Sequence, residues 1–169
     1  MKIKFDSNQP YQREAIDAVL GLFDGQPLSI GAFEFAMAAG TLSGLSELGF
    51  GNQLALDESV LLRNLHVVQE THMLPKAAQM EGMNFSVEME TGTGKTYVYL
   101  RSIFEMHQRY GFAKFIIVVP SVAIREGVIS SLRLMKEHFQ NLFGNVAFDS
   151  WVYDSKQYSK RATSWLSNC

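Results

Sequence analysis

The residues in this 169-residue chain with the clearest chemical potential lie between Met89 and Thr96, in the order Met-Glu-Thr-Gly-Thr-Gly-Lys-Thr. Glycines at 92 and 94 allow the backbone to turn so that successive N–H groups point inward, which is how a loop cradles phosphate oxygens. A helix starting at Lys95 would add its positive N-terminal end at the same place. In such a P-loop Lys95 reaches the terminal phosphates and the Thr96 hydroxyl ligates Mg²⁺. Thr91, Gly92, Thr93, Gly94, Lys95 and Thr96 are therefore the expected ATP- and Mg²⁺-binding residues, with Lys95 stabilising phosphate charge. The position where such loops usually open with glycine is Met89. The alternative reading is a glycine turn beside a solvated lysine.

The loop needs elements to hold it. Phe85, Val87 and Met89 alternate with Ser86 and Glu88, a period of two that predicts a strand before the loop. Lys95 to Tyr110 reads as a helix stopped by Gly111. Phe115 to Val119 is continuously apolar and ends at Pro120, as expected of a strand covered on both faces. Val122 to Leu142 carries Ile124, Val128, Leu132, Met135, Phe139 and Leu142 at helical spacing, and Val146 to Tyr153 is a further strand candidate. Upstream, Pro10 suits a first helical turn, with Tyr11, Ala15, Ile16, Val19, Leu20 and Phe23 on one face and Asp24-Gly25-Gln26-Pro27 as the stop. Asp57 caps a second helix that would bury Leu61, Leu65 and Val68. The alternation implies an α/β fold with a mostly parallel sheet and flanking helices. Residues 1–83 form an N-terminal helical region, and 84–169 the sheet-bearing part.

Three stretches resemble a known family. Asn84-Phe85-Ser86-Val87-Glu88-Met89-Glu90-Thr91-Gly92-Thr93-Gly94-Lys95-Thr96 resembles motif I of the restriction subunits of type III restriction–modification enzymes. Val119-Pro120-Ser121-Val122-Ala123-Ile124-Arg125-Glu126-Gly127-Val128 resembles their motif Ia region, and Gln9 to Ile16 the start of superfamily 2 helicase domains. The likeness runs from Phe5 to about Lys156. It implies a partial RecA-like P-loop NTPase domain, with Gln12 as the glutamine that reads adenine through its amide. It implies DNA-backbone contact at Pro120, Ser121 and Arg125, although Ser121 also reads as a helix cap and Arg125 as a solvated first-turn charge. Its partners would be double-stranded DNA and a modification methyltransferase subunit. In the family, complete proteins couple ATP hydrolysis to communication along DNA and cut it with a C-terminal nuclease.

Composition sets bounds on this reading. Lys and Arg total 15 against 17 acidic residues, so a chain-wide basic footprint for nucleic acid is absent while a local patch is not excluded. The one cysteine is Cys169, which leaves no disulfide framework. The early polar residues and the lack of a ~20-residue apolar run give the expectation of a soluble, cytoplasmic protein. No Asp-Glu pair follows Phe115–Val119, and Asp149 lacks a following glutamate, so hydrolysis by this chain alone is not expected. A non-enzymatic role, docking on the methyltransferase or on an intact motor subunit, is the rival reading. A small P-loop kinase is disfavoured by the motif Ia match and the lack of a lid-like arginine cluster.

Overall fold

The computed structural model describes residues 5–28, 52–144, 146 and 148–153. The apolar run Ser29–Gly40, most of the Gly49–Asn52 connector and the tail Tyr158–Cys169 lie outside these residues. Four helices order the described chain: α1 (Pro10–Gly21), α2 (Glu58–Thr71), α3 (Lys95–Tyr110) and α4 (Val122–Phe143).

Each helix starts and stops for local reasons. Pro10 occupies the first turn of α1, where its missing N–H is no loss. Ile16 and Leu20 of α1 are fully buried, whereas Tyr11, expected on the same face, is exposed. Asp57 precedes α2 with extended backbone but makes no side-chain cap, and Leu61 is the buried residue of that helix. α3 is bounded by Gly94 and Gly111, both in the left-handed region that favours glycine. Ser121 caps α4, its Oγ accepting the Ile124 N–H at 3.3 Å.

α3 is the central element, with α1 packed on one side and α4 on the other; α2 rests on α1. Two cores flank it. Ile16, Leu20, Val98, Tyr110 and Phe112 form one, into which the half-buried Met89 and Phe115 also pack. Tyr97, Leu100, Phe104, Met135 and Phe139 form the other, with Phe104 stacked on Phe139 at a centroid distance of 4.8 Å. The α4 stripe is therefore real, but it is inward only from Val128 onward; Ile124 is exposed.

The α/β expectation is not met. Among the described residues there is no strand and no sheet, and the architecture is helical. Phe85–Met89, Phe115–Val119 and the described part of Val146–Tyr153 are neither helical nor laddered. Ile116 and Val118 are 90% and 87% exposed, the reverse of a strand covered on both faces. The physical reason is that alternation and apolar runs report a tendency of side chains, whereas a strand exists only through hydrogen bonds to a neighbour. Met89 and Phe115 pack on the first core, and among the described residues no ladder joins the backbones of these runs to a neighbour. The RecA-like sheet is thus withdrawn.

Polar side chains close what the missing ladders do not. Gln26, buried in an otherwise irregular segment, donates to the Gln53 carbonyl at 3.0 Å and accepts the Ala55 N–H at 2.9 Å. Asn64 of α2 donates to the carbonyls of Leu22 and Asp24, and Asn52 accepts the N–H groups of Ala113 and Lys114. Phe139→Ala removes the largest fully buried side chain between α3 and α4. The substitution is expected to cost about 3–5 kcal/mol in urea unfolding, and a loss under 1 kcal/mol would show that the α3–α4 contact is not a packed core.

Candidate functional site

The glycine loop is a closed turn on the N-terminus of α3. Gly92 and Gly94 hold φ of 84° and 85°, so neither position suits a side chain. The Glu90 carbonyl is the centre of the turn: it accepts the Thr93 hydroxyl at 2.7 Å and the Lys95 ammonium at 2.6 Å. Gln12, from α1, crosses to the loop and donates its amide to the Thr93 carbonyl at 2.8 Å. Sequence reasoning placed Gln12 and Thr91–Thr96 at one site, and the fold brings Gln12 and the loop together. The role assigned to them is another matter.

The ATP and Mg²⁺ expectation is overturned. A phosphate cradle is held in front by a sheet strand and behind by a helix; here the helix is present and the sheet is not. Lys95 is folded onto its own loop, and its ammonium is satisfied by a backbone carbonyl. A nucleotide-binding P-loop and a hydrolase built on it accordingly do not describe this structure. Among the described residues no group of three or more His, Cys, Asp or Glu side chains is placed to hold a metal ion.

The second predicted group lies at the start of α4. Val119, Pro120, Ser121, Val122 and Arg125 line a shallow groove of about 280 Å³ where α4 begins. Arg125 points its guanidinium at the Glu126 carboxylate, 3.1 Å away, with both side chains substantially exposed. From Ser121 to His138, which contacts Tyr97 beside the glycine loop, α4 runs about 25 Å at ~1.5 Å per residue. It is the C-terminal half of α4, not its start, that packs on Tyr97.

Along α3 and α1 lies a charged cluster that sequence reasoning missed. Glu105 of α3, almost fully buried, faces three guanidinium groups: Arg101 at 3.3 Å, Arg13 at 3.5 Å and Arg109 at 3.6 Å. Asp17 of α1 completes the network through Arg13 and Arg109. Arg101 is itself buried and donates to the Ser7 carbonyl at 2.6 Å and to the Tyr97 hydroxyl at 3.3 Å. Tyr97 Oη lies 3.0 Å from His138 Nε2. Burial raises the Tyr97 pKa despite the opposing pull of Arg101. Burial and then Arg101 lower that of His138. The i, i+4 spacing of Arg101, Glu105 and Arg109 was the available signal, since such residues share a helix face. Its burial was not, because surface pairs have the same spacing.

Comparison with known proteins gives the family. The profile described as "Type III restriction enzyme, res subunit" matches residues 6–165, and the chain belongs to that family. It is 29% identical over 164 residues to the type III restriction-modification enzyme EcoPI Res subunit of Escherichia phage P1, covering 94% of this chain. It is 28% identical over 166 residues to the EcoP15I Res subunit of Escherichia coli, covering 95% of this chain. Over 68 residues, 39% of the chain, it is 46% identical to the StyLTI Res subunit of Salmonella typhimurium. The chain spans 16% of the length of the first two relatives and 7% of the third. Among the described residues no helix is long and apolar enough to cross a membrane.

Two outcomes test the geometry. At Gly94 a Cβ would sit 2.6 Å from Gln12 Nε2 on a backbone of positive φ. Gly94→Ala should cost about 1–3 kcal/mol from backbone strain and about 1 kcal/mol more from the displaced Gln12–Thr93 bond. In a double-mutant cycle with Gln12→Ala the second part disappears, so additive costs in urea unfolding would refute the contact. Glu105→Gln leaves the buried Arg101 without its carboxylate, while Arg13 and Arg109 keep Asp17. It should destabilise by about 3 kcal/mol, and a loss below 1 kcal/mol would show the cluster to be decorative.

Proposed function

We propose that this chain serves a type III restriction subunit by holding DNA rather than by performing the cutting chemistry, and that it acts in the cytoplasm beside a modification methyltransferase. The observation that carries this reading is the open groove at the start of α4, with Ser121 and Arg125 on its wall. A helix N-terminus with a hydroxyl cap and a nearby guanidinium suits a backbone phosphate, whose contacts position a protein on a duplex without reading its sequence. Pro120 ends the preceding run and sets the direction of entry into the helix. Glu126 opposes the contact, because a phosphate must compete with its carboxylate for Arg125. The low net charge of the chain fits a short contact that forms part of a longer track in a larger subunit.

Docking on the methyltransferase is supported by a different observation. Ile116 and Val118, two positions apart in the run before α4, turn their side chains to solvent, and contiguous apolar surface of this kind suits a protein partner.

The DNA reading is tested by duplex binding at several salt concentrations. Arg125→Ala is expected to weaken binding several-fold and to lower the salt slope by about one phosphate contact. Glu126→Gln is expected to tighten binding by removing the competing carboxylate. Unchanged affinity in both variants refutes the phosphate contact. Capture by the methyltransferase of the same system, lost on Val118→Asp with duplex binding intact, would place the docking function first.

A further inference from the structure

The Tyr97 hydroxyl links the N-terminal turn, α3 and α4 through one set of hydrogen bonds. Asp6 holds the turn before α1 through the Asn8 N–H and the Gln9 amide, which positions the Ser7 carbonyl. Arg101 Nη1 donates to that carbonyl and also to Tyr97 Oη. The Tyr97 hydroxyl accepts from Arg101 and keeps its own proton to give, and His138 Nε2 stands 3.0 Å away as a partner for it. The rings of Phe5, Tyr97 and Phe139 lie at centroid distances of 5.4 to 5.6 Å from that of His138.

We propose that Tyr97 donates to a neutral His138 carrying its proton on Nδ1, and that this contact is an acid-sensitive latch that fastens the C-terminal half of α4 to α3 and, through Arg101, to the Ser7 turn. Protonating His138 puts an N–H donor where Tyr97 donates, and it adds a positive charge to a site that already contains a buried guanidinium. The surrounding charges do not relieve this. From α3 the group faces Tyr97 and Arg101, and Glu105 is already shared among three guanidinium groups. From α1 Arg13 acts on the Tyr97 hydroxyl, and from the N-terminal turn Asp6 acts on it in the opposite sense. Glu137 precedes the histidine on α4. The fold already disfavours the charged form by burial and by Arg101.

The sign follows directly. A histidine in the unfolded chain titrates near ~6.5, and in the folded chain His138 lies below that value. The stability it contributes is complete above about pH 6.5 and is lost as pH falls through the folded value, by as much as about tenfold in the folding equilibrium per pH unit within that window. The experiment is urea unfolding of the full chain at pH 7.5, 6.5, 5.5 and 5.0, wild type against His138→Gln. The wild type should lose more stability on acidification than the variant, whose amide does not titrate; every other group is common to both proteins and cancels in the comparison. Equal pH dependence overturns the latch. If His138→Gln does not fold, ¹⁵N NMR of the wild-type imidazole decides. A proton on Nδ1 at neutral pH and a midpoint that moves upward in Tyr97→Phe support the latch, and a proton on Nε2 overturns it.

Discussion

The structure depends on one carboxylate. Glu105 is nearly inaccessible to water, and a buried charge is tolerated only when its partners repay the loss of hydration. Arg101, Arg13 and Arg109 supply that repayment from two helices, so the position of α1 on α3 is set electrostatically as well as by the packing of Ile16, Leu20 and Val98. Apolar side chains alone would allow α1 to slide by a turn at small cost. The guanidinium groups do not, because each has a directed partner. Gln12 can reach Thr93 only in this register.

The same arrangement explains why the glycine loop is a turn and not a cradle. Its back is fixed by α3, its side by Gln12 and its interior by the Glu90 carbonyl, which collects both a hydroxyl and an ammonium. Inward-pointing donors are useful to a phosphate only when the backbone holds them open. Without a paired strand in front, the cheapest partner for Lys95 is the nearest carbonyl of its own loop, and the donor is consumed locally. Motif spelling specifies which groups are near one another; the surrounding sheet decides whether they are available.

Legibility in the sequence followed the range of the interactions. α3 and α4 were readable to their boundaries because glycine at 94 and 111, serine at 121 and apolar residues every three or four positions act within a turn or two. The meeting of Gln12 with the loop was legible through resemblance, not through spacing, since 81 residues separate Gln12 from Thr93. The strands were misread because Val87 and Val118 have the composition of sheet residues, and composition says nothing of a partner. The polar fastenings, Gln26, Asn52, Asn64 and Arg101, were invisible for the complementary reason: each would pass for a surface residue until its distant carbonyl is known. Family membership, by contrast, was legible from short motifs in order, and the match across 6–165 agrees with it.

Gln26 has a consequence for how this chain tolerates change. By holding the Gln53 carbonyl and the Ala55 N–H, one amide brings the chain at 26 and at 53–55 to a single point on the core. Polypeptide added between residues 28 and 52 leaves that point unchanged, because the amide fastens the two ends to each other. Lengthening the start of the connection between α3 and α4 is a different matter, because Asn52 grips it at Ala113 and Lys114, just after α3 ends.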